Sequence, residues 1–313
     1  MSFSSDVREE LARSVCDKNC CARAEMVGMA LSCGALSFRG AGRYQLTIGS
    51  ESAAVARRYF LLAKEFLGVT GELRAVKTDR LGGRARYLVS FSDEDAQTLI
   101  SALKLSDTNA PLGIRKTPHR EILRRNCCRV AALRGAYLAG GSMSNPDHAY
   151  HLEIAVSDEE MAGFIVRQME SLGLPARLNE RKRQFVAYLK DGEHISSFLT
   201  LLGAHVAVLS FENARILKGI RNDVNRQVNC DNNNLEKTVE AAQRQISIID
   251  WIDKKLGLDC LPPSLEAVAR LRRQYPDASF AELGALMDPP LGKSGVSARM
   301  RRLEALAEEM ANK

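Results

Sequence analysis

No apolar run in this chain is long enough to cross a bilayer. The longest, Met26 to Leu31 and Ile195 to Leu202, are short and interrupted, well below the roughly 20 residues that a spanning helix needs. Also missing at the start is the charged stretch followed by an apolar one that marks a secretory signal. The opening Met-Ser-Phe-Ser-Ser-Asp-Val-Arg-Glu-Glu-Leu instead predicts a helix capped by Ser4 or Ser5, ahead of Asp6, Glu9 and Glu10. A cytoplasmic protein with no membrane partner is therefore expected. There is no Cys-x-x-Cys unit, and the five histidines, His119, His148, His151, His194 and His205, are scattered. Both absences argue against a zinc motif.

Cysteine itself is not scarce. The eight are Cys16, Cys20, Cys21, Cys33, Cys127, Cys128, Cys230 and Cys260. Two vicinal pairs fall inside predicted helices, where small, reduced, mostly buried residues are expected. No metal or cofactor is implied. At 313 residues, 45% hydrophobic and 26% charged, the chain has room for one large domain or two to three small ones. A net charge of +6 is compatible with nucleic-acid binding without establishing it.

The strongest internal signal is a repeat. Cys20 to Gly34 aligns without gaps on Cys127 to Gly141, placing Cys20 on Cys127, Ala24 on Ala131, Gly28 on Gly135 and Gly34 on Gly141. An internal repeat constrains architecture before any single motif does. After each copy, the apolar period changes from 3.6 to 2. In the first copy, strands are expected at Ala35 to Arg39 and Arg43 to Gly49, around Gly40-Ala41-Gly42. A helix from Glu51 to Leu67 follows, then strands at Glu72 to Lys77 and Arg84 to Phe91 around Gly82-Gly83, then a helix capped by Ser92. The second copy repeats this order: a helix over Arg120 to Gly140, strands near Ser142 and over Tyr150 to Val156, a helix to Leu172, strands at Ala176 to Glu180 and Gln184 to Lys190, and a helix from Gly192 to Leu202. The fold class is α+β, a pseudo-twofold pair of αββαββα units. Helices at Phe211 to Asn225 and Leu235 to Leu256 are expected to flank an Asn-rich loop at Asn225 to Asn234. The expected divisions are 1–110, 111–228, a linker helix at 229–261 and an all-α segment at 262–313.

Within each repeated helix, small residues recur every fourth position: Ala24, Gly28, Ser32 and Ala131, Gly135, Ala139. Residues four apart share a helix face, so two such helices can approach closely about a pseudo-twofold axis. This arrangement, with strands following each helix, is similar to the LAGLIDADG homing-endonuclease fold. The nine motif positions are Met26 to Gly34 and Leu133 to Gly141. The resemblance implies an acid at the eighth position that binds a catalytic divalent cation. Cys33 and Gly140 stand there instead. Hard cations need oxygen ligands, which neither residue offers. Sliding the second register brings in Asn145, still no carboxylate, and breaks the repeat; Glu25 and Asp147 are nearby but off position. The resemblance also implies sheets that face DNA. Arg74, Lys77, Arg84 and Arg86, expected to alternate in one hairpin, and Arg177, Arg181, Lys182 and Arg183, clustered in the other, are then secondary phosphate contacts or an ordinarily solvated strand face.

From Ser264 the pattern is three short helices: Leu265 to Tyr275, Phe280 to Met287 capped by Asp277 or Ser279, and a last helix capped by Ser294 that runs to about Met310. Val296, Met300, Leu303 and Ala307 form its inward stripe. Lys293, Ser294, Ser297, Arg299, Arg301 and Arg302 supply short polar and cationic side chains at its start, with no acid between Gly292 and Leu303. That is suited to a recognition helix entering the major groove; a helical bundle used for protein contact is the alternative.

Nearly the whole chain resembles the WhiA family of bacterial sporulation and cell-division regulators. The resemblance rests on Ser2-Phe3-Ser4-Ser5, Glu9-Glu10-Leu11, the two Cys-Cys helices and Gly135-Ala136-Tyr137-Leu138-Ala139-Gly140-Gly141-Ser142. It extends through Asn222-Asp223-Val224-Asn225-Arg226, Val228-Asn229-Cys230, Lys237-Thr238, Ala241 to Ile246 and Lys293-Ser294-Gly295-Val296-Ser297. It implies a degenerate nuclease domain joined to a helix-turn-helix that binds double-stranded promoter DNA, with roles in cell division and chromosome segregation. A non-catalytic, nucleoid-associated regulator is expected. The alternatives are a divalent-metal-dependent endonuclease with unrecognised ligands, and a scaffold that binds a partner such as another transcription factor.

Overall fold

The computed structural model describes residues 2–38, 44–77, 85–107, 113–181 and 184–312. Contacts divide the chain into two units, Met1–Lys218 and Gly219–Lys313. The first unit opens with α1 (Phe3–Arg13) and α2 (Asn19–Cys33), followed by β1 (Gly34–Phe38), β2 (Tyr44–Ser50), α3 (Ala53–Leu67), β3 (Glu72–Lys77), β4 (Ala85–Ser92) and α4 (Glu94–Ala102). The order recurs as α5 (Asn126–Gly140), β5 (Gly141–Met143), β6 (Leu152–Val156), α6 (Glu159–Ser171), β7 (Arg177–Arg181), β8 (Gln184–Leu189) and α7 (Gly192–Leu202). Both sheets are antiparallel and share one topology, β1-β2-β4-β3 and β5-β6-β8-β7. The repeat seen in the sequence is thus a repeat of fold. The Gly40 to Gly42 and Gly82-Gly83 turns lie outside the described residues.

The small-residue ladders are where α2 and α5 meet. A Cβ at Gly28 would sit 2.1 Å from the Ala132 carbonyl oxygen, and one at Gly135 would sit 2.1 Å from that of Glu25. Glu25 and Ala132 are themselves equivalent in the repeat, so the contact is symmetric. At this range the backbone of one helix occupies the space of the other's side chain. Each sheet packs one face on the helices: Leu46, Ile48, Val89 and Phe91 are buried in the first, and Leu152, Ile154, Ala187 and Leu189 in the second. Edge-to-face ring pairs, Tyr59 with Phe91 at 5.9 Å and Tyr137 with Phe198 at 5.7 Å, anchor helices to their neighbours.

Several local details differ from expectation. The first cap is Ser2, whose side chain accepts from Ser5 N; Ser4 is buried inside α1 and its Oγ accepts from Met143 N at 3.1 Å. Ser92 ends β4, and Asp93 at φ 52° precedes α4. Helix α5 begins at Asn126, with residues 120–125 in turns. The expected Asn-rich loop is helical: α8 runs unbroken over His205–Lys255. Asn disfavours a helix by well under 1 kcal/mol, far less than proline, and no Gly or Pro occurs between Gly219 and Gly257. Local pairs also satisfy polar groups there, with Arg226 on Asp223, Gln227 on Asp231 at 3.3 Å and Thr238 Oγ1 on the Asn234 carbonyl at 2.8 Å.

The second unit contains α8 from Gly219 onward, a 3-10 turn at Leu258–Cys260, α9 (Pro263–Gln274), α10 (Phe280–Ala285) and α11 (Lys293–Ala311). Ile249, Ile252, Leu265, Val268, Leu283, Val296, Met300 and Leu303 form its core. Ser279 and Glu282 close a capping box at α10. Neither Ser264 nor Ser294 caps a helix: α9 starts from Pro262 and α11 from Gly292. Between α9 and α10, buried Arg272 donates to the carbonyls of Ala278 at 2.7 Å and Pro276 at 3.2 Å, and lies over the Phe280 ring. The turn before α11 folds back on α10, where Leu291 N donates to the Gly284 carbonyl at 2.8 Å.

Candidate nucleic-acid interface

The base of the α2–α5 pair is chemically unsuited to a divalent cation. Burial pushes the half-buried Cys33 thiol up to about 12, although a Gly49 backbone hydrogen bond and the Arg86 charge oppose the shift. The residue is therefore a neutral thiol near pH 7, and its Sγ donates to the Met29 carbonyl at 3.3 Å. In the other copy, a Cβ at Gly140 would sit 2.2 Å from the Ala155 carbonyl oxygen. Strand β6 thus occupies the place of any side chain there. Glu25 is wholly buried and already committed: Arg58 Nε donates to it at 2.8 Å, Arg58 Nη2 at 3.1 Å and Arg134 Nε at 2.8 Å. Asp147 lies in an exposed turn, with its backbone N donating to Asn145 Oδ1 at 3.1 Å.

Strand register sorts the hairpin cations. Arg74 pairs opposite Leu88, and Arg86 opposite Val76, so both lie on the sheet face away from the core. Lys77 is three residues from Arg74 and falls on the other face; the expected alternation of Arg74, Lys77 and Arg86 does not hold. Glu72 engages Arg74 at 2.6 Å. Arg86 lies across Gly49, its guanidinium 2.8 Å from where a Gly49 Cβ would be, which puts a cation beside Cys33 where a nuclease needs an anion. In the second sheet, Arg177 opposite Tyr188 and Arg181 opposite Gln184 share the outer face, and neither joins an ion pair among the described residues. Arg84, Lys182 and Arg183 lie outside the described residues.

Helix α11 presents its cations as the 3.6-residue period requires. Val296, Met300 and Leu303 are buried. Ser294 and Arg301 lie on the opposite face, with Ser297 beside them; Lys293, Ser294, Arg301 and Arg302 are exposed and Ser297 half-buried. Among the described residues, Lys293, Arg301 and Arg302 make no ion pair, so their charge is available to a phosphate or base edge. Arg299 differs: it is half-buried and its Nη1 donates to Met287 Sδ at 3.7 Å.

One grouping was not legible pair by pair. Cys20, Cys21, Cys127 and Cys128 come together, with all four sulfurs within 4.8 Å of one another. Burial acts to raise the Cys20 thiol, but hydrogen bonds with Cys128, Cys21 and Cys127, and the Arg125 charge, outweigh it and lower it. Burial pushes the Cys128 thiol up to about 11, with the Cys20 hydrogen bond and charge adding to the effect. The signal in the sequence was the repeat itself: two helices crossing on a pseudo-twofold axis bring equivalent N-terminal residues together.

Twin LAGLIDADG-like units without the motif's acids, followed by a helix-turn-helix, define the class of this protein. Family models place the WhiA N-terminal LAGLIDADG-like domain on residues 19–106, the WhiA LAGLIDADG-like domain on 129–221 and the WhiA C-terminal HTH domain on 224–307. The chain is 43% identical over 309 residues to "Probable cell division protein WhiA" of Heliobacterium modesticaldum, covering 98% of this chain and 96% of that one. With the same-named protein of Desulforudis audaxviator it shares 44% over 311 residues, 99% of this chain and 98% of the other. The crystal structure of full-length DUF199/WhiA from Thermatoga maritima aligns at a TM-score of 0.61 and 24% identity over 99% of each chain; at that identity the likeness is one of fold. The chain belongs to the WhiA family. No helix among the described residues is long and apolar enough to cross a membrane.

Proposed function

We propose that this protein is a non-catalytic, sequence-specific binder of double-stranded DNA, a transcriptional regulator acting in cell division and chromosome segregation, and in sporulation where the host sporulates. The observation that carries the proposal is the outward face of α11, where Lys293, Arg301 and Arg302 are exposed and unpaired among the described residues, within the segment that matches the WhiA C-terminal HTH domain. Ser294, Ser297 and Arg301 are the base-reading set; Lys293 and Arg302 grip phosphates. Arg299 braces the helix against Met287. Arg86, Arg177 and Arg181, on outer sheet faces, add sequence-independent attraction; the charge of Arg74 is taken up by Glu72. Absence of cleavage is supported by the neutral Cys33 thiol, the filled space at Gly140 and the two arginines on Glu25. The role in cell division rests on the names of the relatives. Action at the nucleoid follows from the DNA reading.

The test is fluorescence anisotropy on DNA selected by the full-length protein from a genomic pool. Arg301→Ala should weaken binding about 5- to 150-fold, the effect of roughly 1–3 kcal/mol, and relax discrimination at one base position. Unchanged affinity and selectivity would refute the assignment.

A further inference from the structure

We propose that Cys20, Cys21, Cys127 and Cys128 form a tetrathiolate site for one soft divalent cation, of the zinc class, at the N-terminal ends of α2 and α5. Four sulfurs within 4.8 Å of one another are close to the arrangement a single ion imposes. Zinc–sulfur bonds of about 2.3 Å in a tetrahedron set neighbouring sulfurs about 3.8 Å apart, and Cys20 Sγ and Cys21 Sγ already stand at 4.0 Å. An iron–sulfur cluster places several metal atoms between its cysteines and needs a wider spread. The four come as two equivalent pairs, Cys20 with Cys127 and Cys21 with Cys128, so the pseudo-twofold axis of the helix pair supplies the symmetry of the site.

The surroundings suit a dianionic metal–thiolate centre. Both helices lack a side-chain cap and an acid in the first turn, leaving their positive ends uncompensated beside the sulfurs. Elsewhere in the same unit, α3, α6 and α7 are capped by Ser52, Asp158 and Asp191. A cavity of about 610 Å³ opens onto Cys20 and Cys128 and is lined by Arg23, Arg124 and Arg125, together with Lys104, whose charge is already taken by Glu121 on the same wall. Arg23 also carries a buried Nε with no hydrogen-bond partner among the described residues. That cavity gives the ion an entry path, and its arginines offset the surplus charge that four thiolates leave around one divalent ion. Cys21 and Cys128 are buried while Cys20 and Cys127 are partly exposed. Binding releases the thiol protons and joins four sulfur–metal bonds across the two repeats, with no change of oxidation state. The ion is structural: four protein ligands leave it no open position for water or substrate, and it staples α2 to α5 at the end opposite Cys33 and Gly140.

The test uses the full-length chain, purified with a reductant and without added chelator, and reads zinc by mass spectrometry. About one zinc per chain is expected. Cys20→Ser/Cys127→Ser, at the two partly exposed positions, should lose it, whereas Cys230→Ser should retain it. Cobalt(II) added to metal-free wild-type protein should give the visible bands and thiolate charge-transfer absorption of tetrahedral sulfur coordination; this measurement does not depend on any variant folding. Zinc absent together with no cobalt–thiolate spectrum would overturn the proposal. So would four cysteines found as disulfides in metal-free protein under that reductant, iron with labile sulfide in place of zinc, or zinc unaffected by the double substitution in a folded variant.

Discussion

Replacing Glu25 by alanine removes the carboxylate from the helix-pair interface. The backbone crossing tolerates alanine, as at the equivalent Ala132, but the Glu25 side chain is wholly buried, so a cavity term adds to the electrostatic one. The electrical consequence is large. Arg58 is 7% exposed and Arg134 14% exposed, so removing the carboxylate leaves two guanidinium groups poorly solvated and without their counterion. Arg58 retains a hydrogen bond to the Ser14 carbonyl and Arg134 a weaker one to Leu202 O at 3.3 Å, but a carbonyl does not balance a charge. Removing one partner of a buried pair costs about 3–5 kcal/mol. Two pairs share this carboxylate, which puts Glu25→Ala at the upper end of that range. Urea unfolding followed by far-ultraviolet circular dichroism measures it, and the fluorescence of Trp251, the sole tryptophan, reports the second unit in the same titration. Arg134→Met made together with Glu25→Ala should recover part of the loss, because one of the stranded charges is then removed. A loss below about 1 kcal/mol for Glu25→Ala, within the range of an exposed ion pair, would refute the electrostatic account.

Other consequences are open to direct measurement. Gly135→Ala should cost about 3 kcal/mol by forcing α2 and α5 apart, whereas Gly163→Ala, whose new Cβ would meet only the flexible end of Arg167 at 3.3 Å, should gain about 0.5–1 kcal/mol; paired unfolding curves separate the two. Because the Cys33 thiol is pushed up to about 12, its reactive thiolate is scarce near neutrality and becomes abundant only as pH approaches that value. Mass-mapped alkylation at pH 8 should therefore modify the exposed Cys230 and Cys260 well before Cys33; equal rates would contradict the assignment. Lys293→Ala should weaken DNA binding evenly across sequences and reduce the slope of log affinity against log salt by about 1. A change confined to one target sequence would instead make Lys293 a base reader.

What could be read from the sequence depended on the range of the forces involved. The Gly28 and Gly135 ladders were legible because a small residue every fourth position has one dominant use, close helix approach. The α11 face was legible because the helical period separates Val296, Met300 and Leu303 from Ser294 and Arg301 without help from tertiary contacts. Asn225 to Asn234 misled because Asn is only a mild helix breaker, and an uninterrupted helix tolerates a run of mild penalties when no Gly or Pro intervenes. Lys77 was placed with Arg74 by nearness in sequence, where parity along the strand decides the face. The commitment of Glu25 to Arg58 and Arg134, and the meeting of two Cys-Cys pairs, depend on partners 33 to 109 residues away. Only the pseudo-twofold packing of the repeat could have disclosed the second of these.

Mapping the sites that the full-length protein occupies in living cells tests the proposed function most directly. Wild-type protein should give discrete peaks that share a sequence motif, and Arg301→Ala/Arg302→Ala, expressed at the same level, should lose those peaks. Peaks that persist unchanged in the double variant, or wild-type occupancy with no common sequence, would contradict recognition by α11.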